Sequence, residues 1–487
     1  MSTMKRRDLL AISLAASAGA ATRVRGEAPP SAPAARNPEV RLPALGRVKP
    51  RASKEINASP WSIGGETLDR DFAVYDHYKS FLGPLGAKAI RLQAGWAKCE
   101  STKGAYSWDW LDAIVNDAAA QGVRPWLQLS YGNTLYPGGG GTGLGGGFPL
   151  SAEALAAWDR WVAACVSRYQ DRVHEWEVWN EPDLNNNGAS PVSAYVDLYL
   201  RTAAIVRKIQ PQAKLFALAL AGKLDYAGRF LSEMSERKRL DLIDAITVHT
   251  YPRNPDDTEI IDALRTMIAK VGAKIEVRQG ETGAPSQFQS RFALSRIAWT
   301  ENMQAKWNLR RMLAHHAKNV PANLFSLSDM HYRGENGRID KNHKGLLETH
   351  ADKSIARPKL AYSAMQTLFA IFDDSLERLD SYPFTTTALR ELAVHGYHWK
   401  NGGGQMAAVW FHDAPPDDST ETTAVDLTLS AGQFEEPVLI DLRLSTAYAL
   451  PKESWKRDQR QFLLKNLPVY DSPILIAERR CVLIDTA

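Results

Sequence analysis

His174-Glu175-Trp176-Glu177-Val178-Trp179-Asn180-Glu181-Pro182-Asp183 reads as a buried strand that ends on a carboxylate. The run from Arg172 to Trp179 is rich in β-branched and aromatic residues. It stops at Pro182, which has no N–H for a sheet ladder and restricts Glu181 to extended geometry. A period of two puts Glu175, Glu177, Trp179 and Glu181 on one face, with Glu181 alone at the mouth of the strand. In a closed βα fold that position is where the chemistry is kept. Glu181 is therefore the first candidate, as a proton donor; the competing reading is a carboxylate that caps the next loop.

The chain on either side alternates as such a fold requires. Strands are expected over residues 56–65, 87–92, 123–129, 172–179, 214–220, 245–249, 275–280 and 322–327. Helices are expected between them, over 69–82, from a Ser107 cap to Gly122, and over 151–169, 226–238, 257–271 and 290–318. This α/β alternation implies a closed (β/α)8 TIM barrel over residues 51–371. Beyond it, short alternating runs such as Ala393-Val394-His395-Gly396-Tyr397-His398-Trp399 imply a C-terminal antiparallel β-sandwich, residues 372–487.

Composition narrows the class. A chain of 487 residues with 44% hydrophobic and 23% charged residues is that of a globular enzyme. The formal net charge of +4 is concentrated in residues 1–28, where Lys5, Arg6, Arg7, Arg23 and Arg25 face only Asp8 and Glu27. The remainder is near neutral, which argues against a nucleic-acid or anionic-membrane partner. Lys5-Arg6-Arg7-Asp8-Leu9-Leu10 before an apolar stretch has the layout of a twin-arginine export signal, residues 1–28, and a Pro/Ala-rich linker follows over 29–50. The expectation is a periplasmic or secreted protein with no membrane insertion after signal removal. Cys99, Cys165 and Cys481 form no disulfide framework or metal-ligand spacing and read as buried free thiols. The adjacent pair His315-His316 reads as surface histidines. Gly141-Thr142-Gly143-Leu144-Gly145-Gly146 fits a dinucleotide-binding pattern, but it lies far past the strand end in a run of glycines, so a flexible loop over the cleft and no cofactor are expected.

Trp179-Asn180-Glu181-Pro182 resembles the end of the fourth strand in glycoside hydrolases of clan A. The resemblance implies Glu181 as general acid/base and Asn180 as hydrogen-bonding partner of a sugar 2-hydroxyl. Cleaving a glycosidic bond takes a protonated group for the leaving oxygen and an opposed carboxylate. The best partner for Glu181 is Glu281, in Arg278-Gln279-Gly280-Glu281-Thr282-Gly283, where flanking glycines let the backbone approach a ligand. Glu276 has the opposite parity and should face the helices. Glutamates ending strands four and seven are the clan A arrangement, and the match over about residues 61–368 plus the sandwich looks most like family 39, the β-xylosidase family. That likeness implies Glu281 as nucleophile and Arg91 as the charge that keeps it ionised, although Arg91 also reads as a buried ion pair with Glu177. It further implies His249 and Tyr251 as donors beside the nucleophile. Trp96, Tyr131, Tyr136 and Tyr332 are candidates to stack on sugar faces. Two departures from the family are visible: strand eight offers Ser328-Asp329-Met330-His331-Tyr332 in place of a tryptophan, and Asp183 opens a loop, 184–188, of unassigned role.

The expected activity is retaining hydrolysis of a plant- or microbe-derived oligosaccharide or polysaccharide, exo-acting and β-xylosidase-like. Endo-glycanase or α-L-arabinofuranosidase-like action, and carbohydrate binding without hydrolysis, are the alternatives. Glu181 has to stay protonated near neutral pH, and the apolar Trp176 and Trp179 are expected to help by desolvation.

Overall fold

The computed structural model describes residues 40–184, 191–334, 337–400, 402–458 and 461–485. The export-signal reading, the first half of the 29–50 linker and most of the 184–188 loop lie outside these residues. Eight parallel strands close into a barrel: β1 (Trp61–Gly64), β2 (Ala89–Gln93), β3 (Arg124–Leu129), β4 (Glu175–Val178), β5 (Lys214–Leu220), β6 (Ala245–His249), β7 (Glu276–Thr282) and β8 (Ala322–Leu324). β8 returns to β1 through the pairs Trp61 with Ala322 and Ile63 with Leu324. The expected (β/α)8 barrel is therefore the fold.

Each strand is followed by a helix that covers it, and the helix stops show why. The first, Tyr75–Leu85, runs through Gly83-Pro84 rather than ending there, although Pro84, in the last turn, has no N–H to donate to the preceding turn. Gly86, at φ 89°, is the true stop, in a left-handed conformation that glycine adopts without strain. The helix expected over 290–318 begins only at Glu301, where the Thr300 side chain accepts from the Met303 N–H. Upstream of it Phe292, Leu294 and Arg296 have positive φ, which no helix tolerates.

Helix Glu301–Ala317 is buried nearly all round because it is wedged between barrel and sandwich, and its polar residues are spent on that seam. Lys306 pairs with Asp471 at 2.5 Å, and Arg310 with Asp256 at 2.5 Å. The surface reading of His315-His316 is overturned for the same reason. His315 bonds the Arg311 carbonyl at 2.7 Å and Gln279 at 3.2 Å, and the His316 ring stacks on Trp61 at 5.1 Å.

The C-terminal region is a sandwich of a larger and a smaller antiparallel sheet. Val409, Phe411, Leu439 and Ile476 of one pack with Val425, Leu429, Phe462 and Leu464 of the other. The larger sheet contains a strand from the opposite end of the chain: Ala44–Val48 pairs with Thr446–Ala449 and with Ile484–Asp485. The linker boundary at residue 50 is corrected accordingly. Ala44-Leu45-Gly46-Arg47-Val48 shows no clean alternation, and its place is fixed by long-range backbone pairing, with Gly46 (φ 141°) bulged against the Asp485 carbonyl. Among the described residues no helix is long and apolar enough to cross a membrane. Cys99 and Cys165 are buried, whereas Cys481 is only partly so.

Candidate active site

The barrel interior beneath β4 is polar. Glu177 is fully buried and accepts from Arg91 (Nη2 at 2.7 Å, Nε at 2.8 Å), from Gln128 Nε2 at 2.8 Å and from the Thr247 hydroxyl. Arg91 also donates to Asn180 Oδ1 at 2.9 Å, to Glu66 Oε1 at 2.9 Å and to Glu281 Oε2 at 3.4 Å. Arg91 is thus buried in an ion pair with Glu177 and also reaches Glu281. Asn180 is pinned by its oxygen, which accepts from Gln128 as well at 3.0 Å, so its amide N–H groups are left for something above.

Strand β4 ends at Val178, and Glu181 does not continue its alternation. Trp179 (φ 67°) and Glu181 (φ 51°) are left-handed, so the chain turns sharply out of the sheet and lifts Glu181 over the barrel mouth. A bulge in β5 receives it: Leu218 and Ala219 also have positive φ, and the freed Ala219 carbonyl accepts the Glu181 N–H at 3.0 Å. Trp179 packs against Phe148 and Trp158, and the Trp176 indole donates to Gln210 behind the strand. The shared face expected for Trp179 and Glu181 is corrected by this turn. Asp183 then ties the β4 exit to the β5 exit, its carboxylate accepting from the N–H groups of Ala221 at 2.8 Å and Lys223 at 3.0 Å.

Glu281, on β7, lies opposite. Its Oε1 accepts from the Tyr251 hydroxyl at 2.5 Å, and its Oε2 lies 3.5 Å from His249 Nδ1. The same Nδ1 is 2.9 Å from Glu181 Oε1, so one buried imidazole touches both carboxyls. A carboxyl oxygen of Glu181, one of Glu281 and a His249 nitrogen lie within 4.8 Å of one another. The triangle would ring a cation only if the contact between His249 and Glu181 opened. The glycines beside Glu281 serve the barrel rather than a ligand: a Cβ on Gly280 would press on His249 at 3.1 Å, and one on Gly283 would meet the Phe325 carbonyl at 2.1 Å.

Burial separates the groups electrically. It pushes the Glu181 carboxyl up to about 8, with the Asp183 charge adding to the effect and Arg91 opposing it. It pulls the His249 imidazole down to about 4, which leaves the ring neutral over the neutral range. Lys344, not anticipated from the sequence, is buried behind Tyr251 with its ammonium 5.3 Å from that ring, bonded to the Ala293 carbonyl at 2.7 Å and drawn down to about 7 by desolvation.

Of the aromatic candidates, Tyr131 and Tyr332 stand at the mouth. Tyr131 carries the Arg70 guanidinium 4.8 Å above its ring, and Tyr332 lies between Phe72 (4.8 Å) and Phe292 (4.7 Å). Trp96 is corrected: it is fully buried, stacks on Tyr136 and Trp161 and donates to Glu100 at 2.6 Å, so it is core. Tyr136 belongs to the same cluster. The glycine-rich loop is held by its own backbone bonds, Gly132 to Gly141 and Gly141 to Gly147, and brings Gly143 to the Arg70 guanidinium. Glu66, Arg70, Gln93 and Gln128 had gone unnoticed; the one available signal was a buried polar residue at inward parity in an apolar strand, which Gln93 and Gln128 both show.

A closed parallel barrel with two carboxyls facing each other at the ends of strands four and seven is the arrangement found in glycoside hydrolases of clan A, and this chain is similar to them in fold. Its particular likeness is to family 39: the family described as Glycosyl hydrolases family 39 matches residues 92–279. Among solved structures, a family 39 glycoside hydrolase from Bacteroides cellulosilyticus WH2 is similar at 18% identity, over 87% of this chain and 81% of that one, with a TM-score of 0.61. The family 39 enzyme from Xanthomonas axonopodis pv. citri follows at 16% identity, over 91% and 97% of the two chains, with a TM-score of 0.58. A monomeric β-xylosidase from Caulobacter crescentus CB15 is similar at 17% identity, over 91% and 98%, with a TM-score of 0.56. At these identities the likeness carries the fold. No curated protein matches the chain.

Proposed function

We propose that the protein is a retaining glycosidase working by double displacement, with Glu281 as nucleophile and Glu181 as acid and then base. The observation that carries this reading is the separation of the carboxyls, whose oxygens lie within 4.8 Å. Retaining enzymes keep them about 5–5.5 Å apart, whereas inverting ones leave about 6.5–9.5 Å for a water. Glu281 attacks the anomeric carbon while Glu181 gives its proton to the departing oxygen; Glu181 then takes a proton from water, which releases the sugar. The raised Glu181 carboxyl suits an acid at neutral pH. Tyr251 and Arg91, both bonded to Glu281, suit a carboxylate that is held and aimed. Asn180, its oxygen held by Arg91 and Gln128, keeps N–H groups that suit a sugar hydroxyl.

The finer reading is exo action on a terminal β-xylosyl-like unit. It is supported by the aromatic and cationic cluster in which Arg70 lies over both Tyr131 (4.8 Å) and Phe72 (5.4 Å) and Tyr332 packs on Phe72 and Phe292, a surface that suits the face of a sugar ring. Chromophore release from a panel of aryl glycosides, with the product anomer followed by NMR, tests both levels. Activity on one glycone with retained configuration is expected, and Glu181→Gln should lose about 10²–10⁴-fold on substrates with poor leaving groups. Inverted product, or an active Glu281→Gln protein, would remove the nucleophile assignment.

A further inference from the structure

The cluster beneath the site holds three carboxyls on one guanidinium, and we propose that Glu66 carries the balancing proton, as a neutral acid while Glu281 is a carboxylate and as an anion once Glu281 is esterified. The inference rests on the reading of Glu281 as the attacking group. Its geometry lies in one atom, Arg91 Nη1, which is shared between Glu66 Oε1 at 2.9 Å and Glu281 Oε2 at 3.4 Å.

The three carboxyls are not equally equipped to be anions. Glu177 accepts from Arg91, Gln128 and Thr247, so its charge is well met. Glu281 accepts from Tyr251 and Arg91 and retains 15% side-chain exposure. Glu66 is 2% exposed at its side chain, and only one of its oxygens has a partner. The other, Oε2, is buried without any donor and packed so tightly on Gly64 that a Cβ there would come within 2.1 Å of it. An anionic oxygen with no donor in a dry site is costly, and a protonated carboxyl avoids most of that cost. The ionisable groups that face Glu66 are Arg91 on β2, Glu281 on β7, Tyr251 beyond β6, Tyr332 beyond β8 and Tyr78 on the first helix. Arg91 is the one cation among them and is already claimed by two other carboxyls. Burial accordingly pushes Glu66 up to about 8, against the pull of Arg91 and with the push of Glu281.

Chemistry at Glu281 changes this balance. When its oxygen forms a bond to the anomeric carbon and the glycosidic bond breaks, Glu281 becomes a neutral ester and its charge leaves the cluster. The repulsion on Glu66 ends and Arg91 Nη1 is released to it. The O–H bond of Glu66 then breaks and the proton passes to solvent, so the net charge around Arg91 is the same before and after the step. Hydrolysis of the ester restores the Glu281 carboxylate and returns a proton to Glu66. Glu66 is thus a positioning residue that acts through Arg91 and never touches the sugar.

The test traps the ester with a dinitrophenyl fluoroglycoside inactivator of the sugar cleaved in the aryl panel. The leaving group departs without needing an acid, so Glu181→Gln can serve as the background, which removes the other titrating proton. In that variant about one proton per trapped site should appear in weakly buffered neutral solution, and none in the Glu181→Gln, Glu66→Gln double variant. Equal release from both, or none from the first, would overturn the inference. Infrared difference spectra of the free wild-type protein and Glu66→Gln give a readout that does not depend on trapping: a protonated-carboxyl band should be lost in the variant, and its persistence would refute the assigned proton. A failure to label Glu281 at all would instead count against the double-displacement reading.

Discussion

Glu181 reaches its position through a backbone that few residues other than glycine adopt, with φ at 51°, and it is held there by the β5 bulge and by His249. Its carboxyl, pushed up to about 8, is protonated below that pH and lost as an acid above it. The kcat/KM profile should therefore fall above about pH 8 on substrates with poor leaving groups. In Glu181→Gln, assayed on a leaving group that needs no acid, this alkaline limb should vanish. The same shift has a stability sign. Between its ordinary 4.5 and about 8 the folded chain keeps a proton that the unfolded chain gives up, so stability at this residue is full below 4.5 and declines as pH rises through 8. The strand-end carboxyls were legible because a proline and paired glycines punctuate apolar runs there. Glu66 was not, since nothing local separates a glutamate in Gly64-Gly65-Glu66-Thr67 from any loop carboxylate; its meaning comes from Arg91, brought to it by the closure of the barrel.

At the scale of elements, Asp183 carries more than a turn. It joins the exits of β4 and β5 through the Ala221 and Lys223 N–H groups, and its charge is the second cause of the raised Glu181 carboxyl. Asp183→Asn keeps the shape and removes the charge. The Glu181 anion then becomes easier to form, and the alkaline limb of kcat/KM should move to lower pH. Asp183→Ala leaves two backbone donors unmet, at about 1–3 kcal/mol each if they stay buried, and should lower both Tm and kcat. A Tm unchanged in Asp183→Ala would show that the two loop ends are held by other means. The strands themselves were legible from period-two apolar runs, and most helix starts fell within a few residues. The stretch 290–300 was not, because its composition suits a helix while the left-handed residues Phe292, Leu294 and Arg296 are set by packing over Tyr332 and Lys344.

For the whole molecule, barrel and sandwich are fastened by charge as well as by apolar contact. Lys306 pairs with Asp471 across the seam, and Arg310, paired with Asp256 within the barrel, donates across it to the Ala414 carbonyl at 2.9 Å. Removing one partner of such a buried pair strands the other, at about 3–5 kcal/mol. Strand Ala44–Val48 is the second fastening. Its deletion would bare the edges of Thr446–Ala449 and Ile484–Asp485, and Tm should fall by on the order of 5 °C with little change in KM. A large change in KM with an unmoved Tm would mean that the strand serves the site rather than the sheet. Neither fastening was visible in the sequence, where a buried Lys306 or Arg310 on a helix looks like any solvated charge.

The pairing of Ala44–Val48 with Ile484–Asp485 also bears on how the protein is made. Synthesis runs from the N-terminus, so this early strand has no edge to join until Thr446–Ala449 has left the ribosome, and no second neighbour until Ile484–Asp485 follows. A barrel assembled from neighbouring βα units can form well before then. Ribosome-stalled chains that stop short of residue 446 would carry a shaped barrel mouth above an open sheet, with strand Ala44–Val48 still waiting for both of its neighbours.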